Sequence, residues 1–186
     1  ELNSIKSQDI LNKNNFIVST IPLYHGIYTN GFLFRKKTTS HKLIVKKAID
    51  LGIDKTQFSG IKLGKDGVTS KGEIIKNTKL VEPLKPDIIY AFCSDTLFNL
   101  KITEQISECD LLYHESTFLK KDENFAVKTF HSTAEQAAII AKNSNVKKLI
   151  LGHFSSRYND LDLFLNEAKT VFENCELAIE NKSFVF

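Results

Sequence analysis

Three apolar segments of this chain end in residues that are costly to bury without a partner: IPLYH ends in His25, AFCSDT carries Asp95, and LILGHF carries His153. Singly, each reads as a core histidine or a capping aspartate. Together, at the ends of strands, two imidazoles and a carboxylate make a ligand set for a borderline-to-hard metal ion. A second pair lies in LLYHESTF and FHSTAEQ, where Glu115 closes a strand and His131 directly precedes a helix. The positive end of a helix disfavours an imidazolium, so His131 needs a nearby carboxylate to raise its pKa for use as a proton donor. Glu115 is a carboxylate suited to that; a structural contact with the capped turn is the other role open to His131. After His153 the run FSSRY offers Ser155, Ser156 and Arg157, hydroxyls and a guanidinium suited to binding a phosphate or holding a carboxylate. His114, placed by alternation on the opposite side of its strand from Glu115, reads as structural, and His41 as solvated.

The elements that must position these groups follow from pattern. Residues 1–14 are polar and read as a frayed lead-in. FIVSTIPL and the segment from Gly31 to Phe34 read as strands. Ser40 is placed to cap a helix running to about Leu51, stopped by Gly52. GIKLGKDGVTSKGEIIKN, with turn signals at Gly64, Asp66-Gly67 and Lys71-Gly72, reads as small β-hairpins outside the core. Beyond Pro86 the pattern becomes regular, with strands IIYAFC and LLYHE and a short helix after Thr103 between them. Ser132 and Glu135 then form a capping box for the helix TAEQAAIIAKN, whose Ala134, Ala137, Ala138 and Ala141 make a stripe for close packing. The apolar strand KKLILGHF, a helix capped by Asp160, and the strands ELAI and SFVF complete the chain. Strands alternating with helices define an α/β fold.

Composition bounds the answer further. The 186 residues, 42% hydrophobic and 25% charged, lie in the globular range and suffice for one core. No apolar run reaches the length of a membrane span, and the N-terminus has no signal-peptide pattern. Cys93, Cys109 and Cys175 are scattered and form no C-x-x-C pair, which fits a reducing cytoplasmic location. The net charge of +3 is unevenly divided: between Arg35 and Glu82 twelve basic residues face five acidic ones, leaving the remainder of the chain net acidic. Such a segment favours a polyanionic partner, since each lysine that meets a phosphate releases condensed counterions.

At these residues the chain resembles ribonuclease Z, the tRNA 3′-end endonuclease family of the metallo-β-lactamase superfamily. PLYHGIYTNGF, AFCSDT, LLYHESTF, FHSTAEQAA and LILGHFSSRY follow one another in that family's order and at about its spacing. The resemblance implies a metallo-β-lactamase-like αβ/βα sandwich, here its C-terminal portion, built from residues 1–34 and 83–186. Residues 35–82 correspond to a protruding basic arm that binds tRNA, in which Lys62 and Lys65 are expected to contact phosphates. His25, Asp95 and His153 are implied as zinc ligands, with Asp95 bridging two ions, and Glu115 and His131 as the residues that deliver a proton to the leaving group. The family's His-x-His-x-Asp-His motif is absent from the chain, which therefore reads as the C-terminal part of an enzyme and as inactive alone. The implied activity is removal of the 3′ trailer from precursor tRNA by a cytoplasmic homodimer, with no membrane partner. Two other readings stay open: another hydrolase of the same fold acting on a small ester, lactam or phosphodiester, and a catalytically inactive RNA-binding module.

Overall fold

β-Branched and aromatic residues crowd residues 16–34, and they pair as strands. In the computed structural model, which describes residues 5–186, β1 (Asp9–Lys13) runs antiparallel to β2 (Phe16–Pro22), and β3 (Asn30–Lys36) lies beside β2. β1 corrects the reading of residues 1–14 as frayed, although residues 1–4 lie outside the described residues. All five of its residues are exposed, so backbone pairing and a hydrogen bond from Ser19 Oγ to Asp9 Oδ1 (2.6 Å) hold this edge strand, and no buried face marks it in the sequence.

The chain divides into two compact units, one of them Lys36–Asp87. That unit contains α1 (Val45–Asp50), α2 (Phe58–Lys62) and a two-residue-per-strand antiparallel hairpin of β4 (Gly67–Val68) and β5 (Ile74–Ile75). It has its own core of Leu43, Ala48, Ile53, Ile61, Leu80 and Val81. The expected hairpin is present as β4–β5, but the reading of this stretch as outside any core is corrected, since Ile61 is fully buried with residues from other short segments of the unit. The first helix starts after Ile44 instead of at Ser40, since a bridge between Leu43 and Val81 keeps the chain extended up to that point. Gly52, at φ +68°, follows the helix as expected. Buried Asn77 donates from Nδ2 to the carbonyls of Ile61 (2.6 Å) and Lys65 (2.8 Å), satisfying the backbone of the turn between them.

The other unit comprises the residues up to Arg35 and Ile88–Phe186. It adds β6 (Ile88–Cys93), β7 (Leu111–Glu115), α3 (Glu123–Thr129), α4 (Ala134–Asn143), β8 (Leu149–Gly152), α5 (Asp162–Lys169) and β9 (Cys175–Leu177). The sheet is mixed, in the order β1-β2-β3-β6-β7-β8-β9, and its last four strands run parallel. On one face Ala91, Leu112, Leu149 and Leu151 pack with Ala134, Ala137, Ala138 and Ala141 of α4 and with Phe164 and Ala168 of α5. The alanine stripe thus does what its spacing predicts. The other face carries half-buried aromatic pairs, Phe34 on Tyr90 (ring centroids 5.5 Å) and Phe92 on Tyr113 (4.8 Å). Tyr113 also lies over Gly152, where an added Cβ would run into its phenol ring, so only glycine fits there.

Several boundaries differ from expectation. The capping box is Thr133 with Gln136, one residue later than Ser132 with Glu135, and the Ser132 hydroxyl instead donates to the Thr96 carbonyl at 2.7 Å. No helix follows Thr103: a 3₁₀ turn, Leu100–Ile102, ends at that residue and the chain continues in turns to residue 108. Asp160 accepts from the Asp162 N–H at 2.9 Å, although Leu161 occupies the N-cap position of α5. SFVF forms no strand; Lys148 and Lys182 lie over the Phe184 ring, and Phe186 meets Tyr90.

Candidate active site

Parallel strands deliver their carboxyl ends to one edge of the sheet, and the polar residues gather there. Glu115, the last residue of β7, has no exposed surface. Its Oε1 accepts from Thr96 N–H (3.0 Å) and from His131 Nδ1 (2.8 Å), and its Oε2 accepts from Thr117 N–H (3.0 Å) and Thr117 Oγ1 (2.8 Å). Burial by itself would raise this carboxyl, but the hydrogen bonds from His131 and Thr96 prevail and hold it below the ordinary carboxylate value. The hydrogen bond to Glu115 raises His131 above the ordinary imidazole value, against the opposing effect of its own burial. α3 ends at Phe130 in the left-handed conformation (φ +59°), which turns His131 toward Glu115.

His25 leaves β2 through a turn whose Tyr24 N–H donates to Thr96 Oγ1 at 3.1 Å. Its Nδ1 lies 2.8 Å from the Phe130 carbonyl, which can only accept, so Nδ1 carries the hydrogen and Nε2 keeps its lone pair. That Nε2 is 4.0 Å from Asp95 Oδ2. His153 follows Gly152 in a left-handed conformation (φ +58°), an uncommon one for a residue with a side chain. Its Nδ1 meets Thr117 Oγ1 at 2.8 Å, and its Nε2 stands 3.3 Å from Asp95 Oδ1. The two histidines therefore face different oxygens of one carboxylate. Between them lies His131, with ring centroids 4.9 Å from His25 and 5.2 Å from His153. Ligand-type atoms of His25, Asp95 and His131, and of Glu115, His131 and His153, fall into two groups, each within 4.8 Å. The residues suit a metal ion: two imidazole nitrogens already oriented by hydrogen bonds at Nδ1, and a half-exposed carboxylate between them.

The structure thus brings together His25, Asp95, Glu115, His131 and His153. Arg157 lies over the rings of Phe118 (5.0 Å) and Phe125 (4.8 Å) and meets no carboxylate among the described residues, so a phosphate remains open to it and the carboxylate contact is not made. Ser155 is engaged in the turn, donating its N–H to Thr117 O (3.1 Å) and accepting from Arg157 N–H (3.4 Å). Ser156 is exposed. Lys62 ends α2 and Lys65 follows Gly64, both exposed and without a salt bridge among the described residues. His114 is buried as expected, with Nδ1 2.7 Å from Glu115 O, and burial pushes its pKa down. His41 is half-buried, its Nδ1 3.2 Å from the Glu82 carbonyl, and so is not the solvated group expected. The sequence reading missed Thr96, Thr117 and the Phe130 carbonyl. Thr117 left one signal, a hydroxyl two residues beyond a strand-ending acid, where local side-chain hydrogen bonds are common.

Comparison with solved structures places the chain in a class: it has the metallo-β-lactamase fold. It superposes on the metallo-β-lactamase fold protein YhfI from Bacillus subtilis with a TM-score of 0.59 at 16% identity, over 92% of this chain and 49% of that one. The short form of human tRNase Z gives 0.52 at 21% identity (92% and 44%), and a long-form RNase Z from yeast 0.56 at 19% (89% and 17%). By sequence the chain resembles ribonuclease Z over nearly its whole length. It is 41% identical over 181 residues to ribonuclease Z of Bacteroides fragilis (strain YCH46), 97% of this chain and 60% of that protein. Ribonuclease Z of Bacteroides thetaiotaomicron is 43% identical over 172 residues, 92% of this chain and 54% of that protein. The chain spans 60% or less of the length of these relatives, and no family model matches it.

The pair predicts a pH signature in the metal-free protein. Because His131 is raised above 6.5, its contribution is complete below that value and is lost as pH rises through its folded pKa. Because Glu115 is lowered below 4.5, its contribution is complete above that value and is lost as pH falls through its folded pKa. The stability difference between wild type and Glu115→Gln, followed by urea unfolding across pH, should be greatest between about 4.5 and 6.5 and shrink on both sides. A difference independent of pH would contradict the ion pair.

Proposed function

We propose that this chain is part of a zinc-dependent endoribonuclease that removes the 3′ trailer from precursor tRNA. The observation that carries the reading is the arrangement around Asp95, whose two oxygens face the Nε2 atoms of His25 and His153 while His131 sits between them on Glu115. Relatives named ribonuclease Z at 41–43% identity support the substrate class. His25, Asp95 and His153 would hold zinc, Asp95 bridging two ions. Zinc, when bound, lowers the pKa of a coordinated water and offsets charge on the phosphoryl oxygens.

Within the cluster the histidines divide by partner. His25 and His153 are held at Nδ1 by the Phe130 carbonyl and the Thr117 hydroxyl, which leaves each Nε2 as the atom turned toward Asp95 and a metal ion. His131 pairs with a carboxylate, which favours its charged form, so its Nε2–H is the proton offered to the departing 3′ oxygen. The product keeps its 3′ hydroxyl. Arg157, with Ser155 and Ser156 beside it, holds a phosphate of the substrate through its guanidinium, which meets no carboxylate among the described residues. The Lys36–Asp87 unit, with twelve lysines against six acids, meets the phosphates of tRNA through Lys62 and Lys65. The same reading makes the protein a cytosolic homodimer; no helix among the described residues is long and apolar enough to cross a membrane.

The natural protein should bind two zinc ions per chain and cleave precursor tRNA, and Asp95→Ala should lose both the metal and the turnover. A variant that kept both would remove Asp95 from the site. For the basic unit, the double variant Lys62→Ala, Lys65→Ala should raise KM for precursor tRNA and flatten its salt dependence by a slope of roughly one per lost phosphate contact, leaving cleavage of a minimal phosphodiester unchanged. An unchanged KM and salt slope would exclude these lysines as the tRNA handle.

A further inference from the structure

The metal-facing and proton-facing halves of the site meet at a residue that neither role assigns, Thr117. It is 7% exposed, and its Oγ1 lies 2.8 Å from Glu115 Oε2, 2.8 Å from His153 Nδ1 and 3.2 Å from His131 Nδ1. Counting hydrogens sets the direction of these bonds. A hydroxyl has one hydrogen to give and two lone pairs. Glu115 is surrounded by four donors and is an acceptor only, so the hydroxyl hydrogen goes to Oε2. What remains on Thr117 toward His153 is a lone pair, and His153 must therefore donate from Nδ1. An imidazole with its hydrogen on Nδ1 has its lone pair on Nε2, the atom that stands 3.3 Å from Asp95 Oδ1. His131 needs nothing from Thr117, because its own Nδ1–H reaches Glu115 Oε1 at the shorter 2.8 Å.

The backbone around Thr117 reinforces the same geometry. Its carbonyl accepts from Ser155 N–H at 3.1 Å, and Ser116 donates to the Gly152 carbonyl from N–H (2.8 Å) and from Oγ (3.1 Å). The exit of β7 is thereby joined to the residues on both sides of His153, whose left-handed backbone has no repeating hydrogen-bond pattern to hold it. We propose that Thr117 is a positioning residue. Its hydroxyl, relaying a hydrogen bond from His153 to Glu115, fixes His153 in the Nδ1–H tautomer and keeps Nε2 free for a metal ion. One carboxylate then orients both a metal ligand, through Thr117, and the proton donor His131 directly. The inference rests on His153 being a ligand, as proposed above.

The test uses the natural protein, wild type and with Thr117→Val, which keeps the shape and removes the hydroxyl, and Thr117→Ser, which keeps the hydroxyl. ¹⁵N-histidine NMR of the metal-free proteins should show the Nδ1–H tautomer of His153 in wild type and Thr117→Ser, and its loss in Thr117→Val. Zinc titration against a competing chelator should show affinity lowered by about 10–100-fold in Thr117→Val, the usual effect of removing a partner of a metal-bound histidine, and restored in Thr117→Ser. An unchanged tautomer, or zinc affinity within about twofold of wild type in Thr117→Val, would overturn the role of Thr117. Should Thr117→Val not fold, Thr117→Ala compared with Thr117→Ser decides in the same way. Wild-type protein that binds no zinc would overturn the ligand reading instead, while the tautomer measurement would still decide what Thr117 does.

Discussion

A carboxylate taken out of water costs several kcal/mol unless its lone pairs are met by donors, and the site is organised around meeting those of Glu115. Each of its four donor contacts comes from a segment that carries something else. Thr96 follows Asp95 directly, and its hydroxyl receives the N–H of the residue before His25. Thr117 supports His153, and His131 lies one residue beyond the carbonyl that orients His25. Satisfying one buried charge therefore fixes the relative positions of three histidines and an aspartate drawn from separate parts of the chain. Such a fully satisfied network is rigid, and a missing member leaves a buried charge exposed to its full desolvation cost.

The sheet makes this possible by ending three neighbouring strands at one edge. β6, β7 and β8 run parallel, so the residues that follow Cys93, Glu115 and Gly152 emerge side by side. Close packing below the edge leaves little freedom: alanines of α4 press against one face, and Tyr113 covers Gly152 on the other. Where regular pairing stops, the chain turns through left-handed residues, Phe130 and His153, that no helix or strand would accommodate. These are the positions at which the backbone trades local comfort for side-chain direction.

Much of this is legible in the sequence because the strands before the site are apolar runs and the residues after them are not. LILGHF and LLYHES announce His153 and Glu115 by contrast with what precedes them, and the family motifs supply the order. The shift of the capping box by one residue shows the limit of such reading, since Ser132-x-x-Glu135 and Thr133-x-x-Gln136 are both adequate pairs. Tertiary contact decides between them by giving Ser132 a different partner, the Thr96 carbonyl. Thr96 and Thr117 went unread because a hydroxyl after a strand looks like any turn residue; its importance lies in three-dimensional neighbours. The small core of the Lys36–Asp87 unit was hidden for a related reason, its members being drawn from separate short segments, none long enough to show a period.

The central claim is that one aspartate is shared between two histidines that each present Nε2 to a metal ion. It is tested most directly by locating zinc in crystals of the natural protein from anomalous scattering at the zinc edge. The account predicts two ions, one about 2.0–2.1 Å from His25 Nε2 and the other at the same distance from His153 Nε2, each about 2.0–2.2 Å from a different oxygen of Asp95, with His131 bound to neither. Zinc held by His131, or density for the ions away from Asp95, would contradict it.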